Sequence, residues 1–347
     1  MTERNVYIAY TGGTIGMKKV DGSYHPMADY LQMQMAANPL FQHSGLPRYT
    51  IHQYRPLLDS SDMAPRDWST IAADICASYG AYDGFVVLHG TDTMAYTASA
   101  LAFMLEGLGK PVIVTGSQIP LCELRNDAQE NLITSLLLAA NPMTVPEVCL
   151  YFNGRLLRGC RAVKVNADGF DAFDSPNEAP LATVGIEVLF NKRLLNDIPH
   201  PRQSALKFQA IAQPHVGSLR LFPGISADVL HNMLQPPLRG LVLETYGAGN
   251  APTHNPELLV TLAEAAARGV VIVNCTQCLR GTVNLHKYAN GAALAQAGVI
   301  SGYDMTAEAA LTKLAYLLSV GDDAAWVRQQ MQQNLRGELT LPQAAGV

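Results

Sequence analysis

The chain has 347 residues, 48% of them hydrophobic and 15% charged, which is ample for two globular cores and argues against disorder. Its formal charge of −5, from 24 Lys+Arg against 29 Asp+Glu, comes without any basic run, so neither nucleic acid nor an anionic membrane is expected as a partner.

Residues 1–5 lead into only five apolar or aromatic positions, 6–10, before the chain turns glycine-rich, which is too short for a signal-peptide core. No later segment approaches the ~18 uninterrupted apolar residues of a membrane span, so a cytoplasmic location is expected. Six cysteines (76, 122, 149, 160, 275 and 278) then read as free thiols of a reducing compartment.

Up to about residue 160 the chain repeats one pattern: a short apolar run, a glycine-containing turn and a helical stretch. Strands are predicted at 5–10, 85–88, 111–114 and 148–152. Pro65 starts a helix with Trp68, Ile71 and Ile75 inward. Leu101, Met104, Leu105 and Leu108 give a second helical stripe, stopped by Gly107 and Gly109. Asn126 with Gln129 opens a third helix, whose apolar face is Leu132, Ile133, Leu136 and Leu137. Apolar strands alternating with amphipathic helices indicate a parallel sheet covered on both faces.

Between 191 and 214 the periodicity is lost and Pro199, Pro201 and Pro214 appear, which marks a linker. A second series follows, with strands at 219–222, 240–245 and 269–274 and a last helix capped by Thr306 and carrying Leu311, Leu314 and Leu318. The expected architecture is α/β in two domains. A larger N-terminal domain, 1–190, has a mostly parallel sheet flanked by helices; a smaller parallel α/β domain occupies 215–347.

In open parallel sheets, ligands bind beyond the carboxyl ends of strands, and three of the four N-terminal strand ends carry hydroxyls. These are Thr11-Gly12-Gly13-Thr14-Ile15-Gly16, His89-Gly90-Thr91-Asp92-Thr93 and Thr115-Gly116-Ser117-Gln118. The first is not a dinucleotide fingerprint, and Gly107-Leu108-Gly109-Lys110-Pro111 lacks the parts of a P-loop. The glycines either turn the backbone so that Thr14 faces a small ligand, or make a plain solvated turn. Asp92 is either an N-cap or part of a site at a helix N-terminus, where free N–H groups and positive potential hold a carboxylate or an oxyanion.

A threonine hydroxyl needs a base to become a nucleophile. His89 ends an apolar strand and reads equally as packed or catalytic. Lys164, in a segment (161–173) with two aspartates and two aromatics, is poised to accept a proton if buried beside Asp92, or is a surface lysine. Asp59-Ser60-Ser61-Asp62 combines capping residues with a candidate zwitterion site. Cys275-x-x-Cys278 has no second pair to complete a zinc site, and neither a metal nor a redox role is assigned to it.

Taken together, Thr11–Ile15, His89-Gly90-Thr91-Asp92-Thr93-Met94 and the lysine segment resemble the bacterial-type asparaginase family, in its cytoplasmic type I branch. The resemblance extends to Thr245-Tyr246-Gly247-Ala248-Gly249-Asn250 and to 284–288. It implies hydrolysis of L-asparagine without metal or cofactor. Thr14 would form the acyl-enzyme, assisted by Tyr24 on a mobile loop, while Thr91, Lys164 and Asp92 would activate water. Ser60 and Ser61 match positions that hold the α-carboxylate, with Asp59 and Gly90 shaping the pocket. Asp92 would also take the α-ammonium, and Ser117 would lie near the scissile amide. The resemblance further implies a homotetramer, a dimer of dimers, with Tyr246 and Asn250 as candidate contributors to a neighbour's site.

Some cytoplasmic members carry a regulatory asparagine site. The matching positions here are Val163, Glu244, Asn250, Thr276 and Cys278, where Val163 and Glu244 replace a threonine and an arginine. Glu244 reverses the charge offered to an α-carboxylate, so cooperative activation is expected to be weakened or absent. Two other functions remain open. One is an enzyme of the same fold that prefers glutamine, since one methylene of selectivity is a matter of ~1–3 kcal/mol in pocket shape. The other is a non-catalytic amino-acid sensor.

Overall fold

The computed structural model describes residues 4–143, 145–196, 205–212 and 215–342, and contacts divide the chain into the units Met1–Gln209 and Ala210–Val347. Of the expected linker, 197–204 and 213–214 lie outside the described residues, including Pro199, Pro201 and Pro214.

The first unit runs β1 (Asn5–Gly12), the hairpin β2 (Met17–Val20) and β3 (Ser23–Pro26), α1 (Tyr30–Ala37), β4 (Arg48–Leu58), α2 (Pro65–Ser78), β5 (Gly84–Leu88) and α3 (Met94–Met104). It continues with β6 (Leu105–Glu106), β7 (Val112–Thr115), α4 (Ala128–Ala139), β8 (Val148–Phe152), β9 (Arg155–Arg158), β10 (Val163–Lys164) and β11 (Phe173–Asp174). The pair β12 (Ala182–Val184) and β13 (Val188–Phe190), then α5 (Lys192–Asn196) and β14 (Lys207–Phe208), complete it.

Eight strands form one sheet in the order β13-β12-β9-β8-β7-β5-β1-β4. From β4 to β8 every pairing is parallel, and the β9, β12 and β13 end is antiparallel. The parallel strands from β5 to β8 are apolar because both faces are covered: every residue of β5, β7 and β8 is buried. The chain leaves β1 to one side for β4 and returns on the other side for β5, so the strand order reverses at β1. A crevice therefore opens beyond the carboxyl ends of β1 and β5.

Three local expectations are corrected. The helical stripe through Leu105 and Leu108 stops at Met104, because Leu105 and Glu106 pair antiparallel with Phe208 and Lys207. Leu137 is 43% exposed, because α4 buries Leu132, Leu136, Leu138 and Ala139 and turns Leu137 away. In the second unit, the strand expected at 219–222 is Val216–Arg220, leaving Phe222 exposed beyond its end.

The second unit comprises β15 (Val216–Arg220), α6 (Ala227–Met233), β16 (Gly240–Thr245), α7 (Pro256–Ala267), β17 (Val271–Thr276), α8 (Ala289–Gln296), β18 (Ile300–Ser301), α9 (Ala307–Val320) and α10 (Ala324–Met331). Its four strands are parallel and in sequence order, β15-β16-β17-β18. Thr306 caps α9 by accepting the Ala309 N–H (3.1 Å), and Leu314 and Leu318 are buried beneath it.

Within α9, Lys313 is fully buried and its ammonium is enclosed by Glu338 Oε1 (2.5 Å), Met331 O (3.0 Å) and Gln333 O (2.5 Å). Burial opposes ionisation of Glu338, but Lys313 and the N–H groups of Leu335 and Arg336 outweigh it and lower its pKa. Removing one member of such a pair leaves the other charge buried alone. Glu338→Ala is expected to destabilise the second unit by about 3–5 kcal/mol. Trp68 and Trp326 are the two tryptophans, so urea unfolding of a Trp68→Phe background followed by Trp326 fluorescence reads that loss directly.

Candidate active site

Four parallel strands deliver the site. Beyond β1 comes Gly13-Thr14, beyond β4 Asp59-Ser60-Ser61, beyond β5 His89-Gly90-Thr91-Asp92, and beyond β7 Gly116-Ser117-Gln118. Their loops meet at backbone distance. A Cβ on Gly13 would lie 2.4 Å from Gly90 N, and one on Gly90 would lie 2.5 Å from Ser60 Oγ, so only glycine admits this approach. Gly13 also has φ +86°, which carries the chain into the short helical turn of Thr14–Gly16.

Thr14 is half-buried, and its hydroxyl makes no hydrogen bond among the described residues. Ser60 is buried, and its carbonyl accepts the Thr93 hydroxyl at 2.6 Å. Asp59 accepts both the N–H (3.0 Å) and the hydroxyl (2.8 Å) of Ser61, which orders the turn. Ser117 is buried, and its Oγ has no hydrogen-bond partner among the described residues.

The second threonine is enclosed by polar groups. Lys164 Nζ donates to Thr91 Oγ1 (2.9 Å) and to Asp92 Oδ1 (2.7 Å), so the lysine is beside the carboxylate and not a free surface group. Asp92 precedes α3, whose N-terminus receives no side-chain capping bond from Thr93, and the Asp92 side chain remains 65% exposed against 20% for Lys164. Lys164 reaches the site on β10, whose partner β11 is held by Arg155 through Asp174 Oδ1 (3.0 Å) and Phe173 O (2.7 Å).

Gln118 is a member of this cluster that sequence reasoning places in a strand-end motif without assigning it a part. Its Oε1 accepts the Thr91 hydroxyl at 3.0 Å. Asp127 at the start of α4 accepts the Gln118 N–H (2.9 Å) and the Ile119 N–H (3.0 Å), and Asn131 donates to Gly116 O (3.0 Å). An acidic residue just before an amphipathic helix is the signal in the sequence that points to this support.

His89 is packed rather than catalytic. It is fully buried, with Nδ1 2.7 Å from Gly90 O and Nε2 2.7 Å from Thr97 Oγ1. The carbonyl can only accept, so Nδ1 carries the proton and Nε2 accepts from Thr97. Burial lowers the pKa of His89 to about 4, despite the opposing bond to Gly90, and the ring stays neutral.

Tyr24 is exposed on the β2–β3 hairpin and donates to Glu123 Oε1 (3.0 Å); no hydrogen bond among the described residues joins it to Thr14. Val163 is half-buried in the first unit. Glu244, Asn250, Thr276 and Cys278 belong to the second. There Glu244 accepts from Ser218 Oγ (3.1 Å) and pairs with Arg220 Nη1 (3.4 Å) on the adjacent strand. Tyr246 and Asn250 close a tight turn through reciprocal backbone bonds of 2.9 and 2.8 Å. Thr276 accepts the Cys278 N–H at 3.0 Å. Cys275 and Cys278 are free thiols, and burial pushes Cys275 up to about 12, far from the thiolate needed for redox chemistry. Among the described residues, no group of three or more His, Cys, Asp or Glu could hold a metal ion.

Residues 5–196 match the family model for the N-terminal domain of asparaginase, and 215–331 match that for the glutaminase/asparaginase C-terminal domain. The chain is 56% identical to L-asparaginase 1 of Escherichia coli over 341 residues, covering 98% of this chain and 99% of the relative. It superposes on the crystal structure of L-asparaginase I from Vibrio cholerae with a TM-score of 0.90 at 54% identity, covering 98% and 100% of the two chains. The thermostable L-asparaginase of Thermococcus kodakarensis gives 0.86 at 36% identity, covering 97% and 100%.

The neutral, buried His89 has a consequence for stability. Below its ordinary pKa of 6.5 the unfolded chain binds a proton that the folded chain refuses, down to about pH 4. Stability is therefore expected to fall as pH drops through that window, by up to about 3 kcal/mol from this group. His89→Gln lacks the component, so its stability deficit at pH 7 should narrow towards pH 4 in urea unfolding. A deficit unchanged across that range would contradict a neutral His89.

Proposed function

The chain belongs to the asparaginase family, and on that premise we propose that its two-threonine site hydrolyses the side-chain amide of L-asparagine to L-aspartate and ammonia through an ester on Thr14. Family membership makes it an amidohydrolase. The observation that carries the reading is the cluster Lys164–Thr91–Asp92, bonded at 2.9 and 2.7 Å beside a loop that packs against the Thr14 turn.

In the reaction Thr14 Oγ1 attacks the amide carbon, the C–N bond breaks and ammonia leaves with a proton. Water then attacks the ester carbonyl; its proton goes to Thr91, whose own passes to Lys164 as the lysine gives one to Asp92, and the bond to Thr14 Oγ1 breaks as that oxygen regains a proton, releasing L-aspartate. Ser60 and Ser61, ordered by Asp59 and packed on Gly90, take the α-carboxylate, while Asp92 takes the α-ammonium. What supports the latter is the open face of Asp92: a carboxylate that is 65% exposed has accepting positions left after Lys164 is bound. Ser117, whose hydroxyl is buried without a partner among the described residues, is suited to the scissile amide. Tyr24 assists Thr14 once its hairpin brings it over the site.

Among the described residues no helix is long and apolar enough to cross a membrane, and the six cysteines are free, which supports a cytoplasmic enzyme. The assembly that fits the family reading is a homotetramer of two close dimers, with Tyr246 and Asn250 as contributors to a neighbour's site. The second asparagine site is read as inactive. Glu244 presents a carboxylate where an α-carboxylate would bind, and Arg220 is already engaged with it.

Ammonia release against asparagine concentration tests these points together. The parent should be active and follow a hyperbolic curve; a plainly sigmoidal one would restore the regulatory site. Thr14→Ala should lose at least about a thousandfold in rate. Parallel assays should show asparagine preferred to glutamine. Normal asparagine binding by Thr14→Ala, with no ammonia from the parent, would establish a sensor instead.

A further inference from the structure

Two backbone carbonyls determine which way the Gln118 amide faces. Its Nε2 donates to Ala167 O (3.1 Å) and Gly169 O (3.2 Å), contacts that only an N–H₂ group can make. The opposite end, Oε1, therefore faces Thr91 at 3.0 Å, and an amide oxygen only accepts. The single proton of Thr91 is thereby directed to Gln118. One lone pair of Thr91 Oγ1 is taken by Lys164 (2.9 Å), and the remaining one is unassigned among the described residues.

We propose that Gln118 is a positioning residue for the reaction, holding the Thr91 hydroxyl at rest in the rotamer that leaves its free lone pair to the attacking water and keeps its oxygen on Lys164, to which the Thr91 proton passes as the water proton arrives. The inference rests on the functional reading above. Without Gln118 the hydroxyl is free to rotate and to offer its proton to the incoming water, the opposite of what proton abstraction requires.

The surroundings hold Gln118 as tightly as a site residue needs. Its backbone N–H is fixed by both oxygens of Asp127 (2.9 and 3.1 Å). The carbonyls that fix its amide lie on the loop immediately after Lys164, which Asn166 closes by accepting from Asp168 N and Gly169 N, both at 3.0 Å. Asn166 Nδ2 also donates to Asp171 Oδ1 (2.9 Å). One loop thus supplies the lysine to one side of Thr91 and holds the glutamine on the other. Movement of that loop would loosen both partners of the hydroxyl together, which is a geometric coupling that neither residue alone would produce.

Gln118→Met keeps length and volume but removes both the acceptor and the donor. It should lower kcat by about ten- to a hundredfold while KM for asparagine changes by no more than about threefold, because the lost interaction orients a catalytic group and does not bind substrate. Gln118→Glu keeps an oxygen towards Thr91 but sets a carboxylate against two carbonyls, and should also lose rate.

The decisive comparison is a double-mutant cycle with Thr91→Ala, read as ammonia release in single turnovers at high enzyme concentration so that slow variants stay measurable. If Gln118 acts through Thr91, Gln118→Met should cost less than about twofold in the Thr91→Ala background. An equal loss in both backgrounds, or a Gln118→Met enzyme as fast as an active parent, would overturn the proposal and leave the functional reading standing. A parent that releases no ammonia from asparagine would overturn both.

Discussion

The first unit depends on a contact between two backbones that have no side chains to separate them. Gly13 and Gly90 lie just beyond neighbouring parallel strands, and the space between their loops is too small for a methyl group: a Cβ on Gly13 would meet the opposite nitrogen at 2.4 Å. Strands about 5 Å apart bring their loops this close only when the loops turn inwards together. Gly13 turns at positive φ, and Gly90 gives way to Ser60 on its other side, so three loops close into one surface. His89 completes the lock: its neutral ring ties the Gly90 carbonyl to Thr97 on α3. The glycines that precede the two threonines are thereby in backbone contact.

How much of this can be read in the sequence follows from which forces act locally. The parallel strands β1, β5, β7 and β8 are legible as unbroken apolar runs, because burial on both faces removes the need for alternation, whereas β4 at the sheet edge is half-exposed, carries no such run and is not predicted. The ends of those four, and hence the motifs at 14, 91–92 and 117, are legible from the turn glycines and hydroxyls that follow, while 59–61 is legible only as a polar cluster before Pro65. Leu105 is not, since a helical stripe continues through it while a strand partner a hundred residues away captures it. Leu137 misleads for a different reason: an apolar residue next to a buried one on a helix is rotated by about 100°, and here that rotation points it to solvent.

Long-range polar partners are the least legible part. Gln118, Asp127 and Asn131 are ordinary residues in sequence, and their significance emerges only when Gln118 is found between Thr91 and the loop after Lys164. His89 shows the opposite case. A histidine in a strand-end motif with threonines invites a base, yet both ring nitrogens are already committed to the fold. Residue type suggests chemistry there, and burial removes it.

Two of the lysine–carboxylate pairs have very different surroundings, and the contrast explains what each does. Lys313 and Glu338 are both 0% exposed, and carbonyls and N–H groups of the protein surround them. A pair sealed in this way is costly to break and offers nothing to a ligand. Lys164 and Asp92 stand at a nearly identical distance, 2.7 Å against 2.5 Å, but with side chains 20% and 65% exposed. Screening makes the second pair worth little to stability. On the proposed reading, that weakness suits a site in which Asp92 takes on an ammonium from a substrate and Lys164 answers to changes at Thr91. Holding such a pair in place falls to bonds that leave its charges free. The Gln118 amide that fixes Thr91 is neutral, and the Arg155 guanidinium that steadies β11 is spent on Asp174 and the Phe173 carbonyl rather than on the site.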